Sequence, residues 1–163
     1  QQRFEQMRNI LKIAISALFL AAAPFAQAQD QPITLEGDVL AVVESVDANG
    51  ATQTELVEPG TIVPGDRLMF STTYTNTGSE PVENFTMTNP LPGPVRLAPD
   101  ADPELVVSVD AGTSWGRLSE LTVTGPDGAS RPADHADVTH IRWSLAVVLP
   151  GETGRLEYPA IIR

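Results

Sequence analysis

Apolar positions fall into two regimes along the chain. Near the start they form one block at residues 13–23, ended by Pro24; from Ile33 onward they recur in short runs with a period of two. The block follows Arg8 and Lys12 and precedes Ala26-Gln27-Ala28, the order of a basic segment, an apolar segment and a small-x-small cleavage motif. It predicts a signal peptide over residues 1–28, cleaved after Ala28. Residues 1–6, ahead of a candidate initiator at Met7, then read as an upstream extension with no structural meaning. The uninterrupted apolar run is too short to cross a bilayer, which takes about 20 residues.

The period-two runs are rich in Val, Thr, Leu and Ile and are separated by Gly, Pro, Asn and Asp. Residues 33–46 carry Val39, Ala41 and Val43 on one parity. Asp47-Ala48-Asn49-Gly50 predicts a hairpin turn, since Asn-Gly tolerates positive φ, and residues 52–57 form the return strand. Pro59-Gly60 and Pro64-Gly65-Asp66 break the pattern. It resumes most clearly at 68–74, where Leu68, Phe70, Thr72 and Tyr74 share a face opposite Ser71, Thr73 and Thr75. Asn76-Thr77-Gly78-Ser79 turns the chain, and 82–88 returns with Phe85 and Met87 together until Pro90, Pro92 and Pro94 end it. Residues 105–109 and 121–124 are further short strands, the second closing on Gly125-Pro126-Asp127-Gly128. In 138–149, Ile141, Trp143, Leu145 and Val147 oppose His140, Arg142 and Ser144; after Pro150-Gly151, Leu156, Tyr158, Ala160 and Ile162 alternate to Arg163.

No window holds a helical i, i+3, i+4, i+7 pattern. The expected fold is therefore all-β: an immunoglobulin-like antiparallel β-sandwich of about seven to nine strands, in one domain over residues 29–163. Its last strand is expected beside the 138–149 strand. Trp143, Tyr74, Phe70 and Phe85 are expected in the core, facing inward.

Composition sharpens the compartment. The chain has 163 residues, no cysteine and a net charge of −11. Residues 1–28 hold three of the ten basic and one of the 21 acidic side chains, leaving seven and twenty, a net of −13, with Lys12 the sole lysine. A surface this anionic repels phosphate backbones and anionic headgroups, which excludes nucleic-acid and peripheral-membrane roles. Without cysteine there is neither an acyl anchor of lipoprotein type nor a disulfide framework, so stability rests on the core. The 135 residues after the leader suffice, because a domain of that size buries about two-thirds of its unfolded surface.

One stretch carries a resemblance. Pro64-Gly65-Asp66-Arg67-Leu68, Phe70, Tyr74, Asn76-Thr77-Gly78-Ser79, Pro81, Asn84-Phe85 and Asn89-Pro90-Leu91-Pro92 resemble a bacterial surface repeat family known as domain of unknown function 11, and Pro150-Gly151 is similar to the turn before that family's last strand. Asn89 stands where the family has Asp, the 33–57 hairpin is additional, and the family's usual tandem modules are reduced to one. The resemblance covers roughly residues 57–162. It implies an extracytoplasmic immunoglobulin-like module with a binding or structural role and no assigned catalysis.

Candidate chemistry is sparse. Asp134-His135-Ala136-Asp137-Val138-Thr139-His140 crowds metal-ligating types, with His135, Asp137 and His140 as the conceivable zinc set, although Asp137 and His140 are expected on opposite faces of a strand. Asp100, Asp102 and Glu104 alternate in a loop of the oxygen-rich kind that can hold Ca²⁺, without matching a known calcium loop. The preferred reading of both is a solvated loop, with no metal site. There is no Gly-x-Ser-x-Gly elbow, thiol, HExxH or phosphate loop to anchor catalysis. Trp115, flanked by Gly112 and Gly116, is a candidate exposed contact.

These patterns point to an exported, non-catalytic binding or structural module, periplasmic, secreted or on the cell surface. It carries no cofactor, does not insert in the membrane after cleavage, and engages a protein partner in the envelope. Its expected mechanism is shape and edge complementarity, since open sandwiches leave unpaired strand edges. The alternatives are a metal-dependent hydrolase or metal-binding protein using His135, Asp137 and His140, and a periplasmic chaperone-like assembly factor.

Overall fold

A computed structural model describes residues 32–163; the expected leader and its cleavage site lie outside the described residues. Among the described residues eleven strands follow one another, with a single 3₁₀ turn at Leu118–Glu120. They are β1 (Ile33–Val46), β2 (Thr52–Val57), β3 (Arg67–Asn76), β4 (Val82–Pro90), β5 (Val95–Leu97), β6 (Val106–Ser108), β7 (Gly116–Arg117), β8 (Thr122–Thr124), β9 (Ser130–Pro132), β10 (His140–Val148) and β11 (Thr153–Ile162). One antiparallel sheet has the order β2-β1-β3-β11-β5 and the other β4-β10-β6-β7, while β8 and β9 form a separate hairpin. The fold is an all-β sandwich, as the period of two implies.

The main core lies between the sheets. Leu68, Val95, Leu97, Tyr158 and Ala160 from the first meet Val107 and Ile141 from the second. Phe70 stacks on Tyr158, which sits opposite it in register, with ring centroids 5.1 Å apart. Tyr74 is buried, whereas Phe70, Phe85 and Trp143 are half-buried at the margin of the two apolar clusters rather than enclosed. Tyr74 covers Gly154, its neighbour across the β3–β11 ladder, so a side chain at Gly154 would collide with the ring.

Two expectations need correction. First, β10 does not pair with β11: it pairs with β4 and β6, and β11 lies between β3 and β5. The chain crosses between the two sheets four times, at β3–β4, β4–β5, β5–β6 and β10–β11, so none of these connections is a hairpin. Secondly, Val147 shares parity with Ile141 but is 44% exposed, and Val148 is fully buried instead. The β4–β10 ladder skips Ala146 and Asn84, and Asn84 has φ 53. That left-handed residue turns the strand, so the inward parity changes on both strands at once, to Val82 and Val148. The two packed sheets together hold nine strands, within the expected seven to nine, and β5, β7 and β9 are strands that no run in the sequence marks. They have two or three residues each, too few to show a period, and β5 follows directly on the proline run.

The β1–β2 turn matches its sequence closely. Asp47 Oδ1 accepts hydrogen bonds from the amides of Asn49 and Ala51 at 2.8 and 2.9 Å. Gly50 alone takes positive φ there, at 81°, the place where a missing Cβ removes the steric penalty.

Candidate binding site

An open cavity of about 470 Å³ lies between the β5–β6 loop, the 3₁₀ turn and the segment leading into β10. Its floor is core: Leu97, Ala101 and Val107, all buried. Leu105 and Leu118 add half-buried walls, so the interior is aliphatic. Tight turns build the rim. The amide of Ala101 donates to the Ala98 carbonyl at 3.1 Å, and that of Leu105 to the Asp102 carbonyl at 3.1 Å. The volume is in the range of small-molecule and side-chain pockets, about 300–1,000 Å³.

Two residues singled out by their chemistry, Asp102 and His135, line this cavity beside Asp134 and Ser119. The others are dispersed. Asp100 pairs with Arg67, and Glu104 with Arg117 at 3.2 Å. Asp102 Oδ1 accepts from the Glu104 amide at 2.9 Å, a local turn bond. Asp137 receives both ends of the Arg131 guanidinium at 2.6 and 2.7 Å and the Asp134 amide at 2.8 Å. The Arg131 hydrogen bonds hold its carboxyl below the usual range. His140 Nδ1 lies 3.0 Å from Thr139 Oγ1, and its ring meets the edge of Trp115. The structure therefore does not bring His135, Asp137 and His140 together. Among the described residues no group of three or more His, Asp or Glu could hold a metal ion. The carboxylates that resemble ligands in sequence are occupied by arginines and backbone amides.

Trp115 is half-buried. Its Nε1 donates to the Gly112 carbonyl at 3.0 Å, and the Arg142 guanidinium lies 3.6 Å from the ring centroid, a cation–π contact. The loop that presents it is organised by Asp110. That carboxylate accepts from Ser108 Oγ at 2.7 Å, from the Ser114 amide at 2.8 Å and from Ser114 Oγ at 2.6 Å. Ala111 and Gly112 both take positive φ. The hydrogen bonds from Ser114, followed by that from Ser108, lower the Asp110 pKa to about 2. A carboxyl depressed on folding stabilises the native state above its unfolded value, about 4, and that contribution is lost as pH falls through the folded value. Acid titration is thus expected to loosen this loop between about pH 4 and pH 2, read as a change in Trp115 fluorescence. The change should vanish in Trp115→Phe and flatten in Asp110→Asn.

Sequence reasoning missed the aliphatic wall of the cavity, because Leu97, Leu105 and Leu118 carry no signal of a site until three separated loops are folded together. No protein-family model matches the chain, and no curated protein or solved structure is significantly similar to it.

Proposed function

We propose that the chain is an exported, non-catalytic binding module of the bacterial cell envelope, and that it holds an apolar group of a protein partner in the cavity between the β5–β6 loop and the segment before β10. The observation that carries this reading is the cavity itself, an aliphatic chamber of about 470 Å³ open to solvent. Burial of one large aliphatic or aromatic side chain there is worth roughly 2–3 kcal/mol, enough to anchor an interface whose remainder is polar. The surrounding polar groups support binding over catalysis: Asp100, Glu104 and Asp137 are neutralised by arginines, and none is paired with a nucleophile or base. Export rests on the leader pattern, and the absence of cysteine and of lysine after residue 12 suits a solvated extracytoplasmic surface.

The test is capture from the native envelope with the mature chain and with Ser119→Trp, which sets a bulky side chain on the exposed rim. A specific partner should be retained by the first and weakened at least about tenfold, the equivalent of ~1.4 kcal/mol, by the second. Equal retention by both would reject the cavity as the binding site.

A further inference from the structure

The first sheet ends in an edge unlike the other three. All six residues of β2 are exposed, and among the described residues β2 pairs only with β1, over Val46↔Thr52 to Ala41↔Val57. The next strand, β3, reaches no further along β1 than Ala41. The rest of the hairpin therefore overhangs the sandwich as a two-stranded ribbon, a structure only marginally stable alone in water. Its aliphatic side chains are left open: Val43 is 43% exposed, Val46 69% and Leu56 44%. Residues directly opposite in a ladder share a face. Val46 and Leu56 consequently lie on one face of the ribbon, with Val43 and Glu55 on the other.

Charge is segregated onto the same element. Residues 32–66 contain seven carboxylates and no lysine or arginine; the arginines of the described residues begin at Arg67. Asp47 and Asp66 are spent on turn amides. Glu36, Asp38, Glu44, Glu55 and Glu58 form no salt bridge with a described residue. Native sheets usually blunt an open edge with charge, and here the charge has one sign. It opposes pairing with a second copy, which would bring Glu55 and Glu58 against an equally acidic ribbon. It favours a cationic strand.

We propose that β2 takes up an extended segment of a partner protein, with basic and aliphatic side chains in alternation, as an added strand on its free edge. This rests on reading the chain as a protein-binding module and names the chemistry of the partner. The free N–H and C=O groups of β2 supply main-chain hydrogen bonds. The aliphatic face of the incoming strand lies with Leu56 and its basic face with Glu55, while Glu44 and Glu58 add to the negative field around the edge. Because the carboxylates are exposed, association weakens as salt rises.

The test uses the folded chain with a nine-residue peptide alternating Lys and Val, followed by NMR and amide hydrogen exchange. The expected result is saturable binding with slowed exchange confined to Thr52–Val57. Affinity should drop at least about tenfold for the same peptide N-methylated at alternate amides, and likewise for the chain carrying Glu55→Lys and Glu58→Lys. Absence of binding, binding insensitive to N-methylation, or a Glu–Val peptide that binds equally well would each overturn the proposal. Exchange protection of β2 that grows with protein concentration alone would assign the edge to a second copy and overturn it too. Ser119→Trp should leave peptide binding unchanged, so loss of the cavity reading and loss of the edge reading are separately visible.

Discussion

Deleting residues 158–163 is expected to abolish cooperative unfolding and leave an aggregating chain. The segment is the second half of β11, which lies between β3 and β5 in the first sheet. Its removal takes away Tyr158 and Ala160, both buried, together with the stack on Phe70. Among the described residues it also leaves β5 with no neighbour in the sheet, since β5 pairs there only with Ala160, Ile161 and Ile162. Further ties go with it: the Gly65 amide loses the Ile162 carbonyl at 2.9 Å, and Arg163 no longer donates to the Val95 and Ala136 carbonyls at 3.0 and 2.8 Å. Loss of the Tyr158 side chain alone is worth roughly 3–5 kcal/mol, against a total stability of about 5–15 kcal/mol for a domain. The raw edge of β3 would then invite pairing between chains. Size exclusion and thermal melting decide the matter. A monomer that melts like the intact chain would show β11 to be dispensable beyond Glu157.

The expectation that this tail is integral to a sheet holds, while its expected neighbour does not, and the difference shows what a sequence can carry. Alternation reports which face of a strand is buried. Leu68, Tyr158 and Ala160 are accordingly legible as inward-facing, and Asp47-Ala48-Asn49-Gly50 fixes the β1–β2 hairpin because both partners are local. Sheet membership is set by contacts distant in sequence, such as Phe70 with Tyr158, about which a period of two is silent. The short β5 is invisible for a related reason: Val95 and Leu97 are buried by docking on β11, with three residues and no period of their own. At the candidate site, His135 and Asp102 were legible as polar residues in loops. That they share a cavity, while Asp137 and His140 face Arg131 and Trp115, depends on how three loops converge. Trp115 misleads in sequence because its glycine neighbours suggest exposure, whereas Arg142, which covers it, comes from β10.

Asn76 is where the wiring of the sandwich is held, and Asn76→Ala is expected to cost about 3–5 kcal/mol. In sequence it is one letter of a turn. In the fold it is fully buried at the end of β3, beside the β3–β4 and β10–β11 crossings between sheets. Its side-chain amide donates to the Glu80 carbonyl at 2.9 Å, on the way to β4, and to the Val148 carbonyl at 2.9 Å, at the end of β10. Its Oδ1 accepts from the Gly78 amide at 2.9 Å. The backbone joins the other crossing: the Asn76 amide donates to the Glu152 carbonyl at 2.9 Å, and its carbonyl accepts from the Gly151 amide at 2.8 Å. Gly78 completes the joint, because a Cβ there would stand 2.8 Å from Pro32 Cβ. Truncation to alanine keeps the backbone bonds but strands Val148, whose residue is wholly enclosed, and frees Glu80 and Gly78. An unpaired buried polar group costs about 1–3 kcal/mol, and the hydrogen bonds lost to Glu80 and Gly78 add about 1 kcal/mol each, which together set the expected magnitude. Thr77→Ala is the control: Thr77 Oγ1 donates to the Pro32 carbonyl at 3.0 Å in an exposed position, so its removal should cost under about 1 kcal/mol. Urea unfolding of the two variants measures both. A loss at Asn76 no larger than at Thr77 would mean that water replaces the amide, and that the crossings are held by their backbone bonds alone.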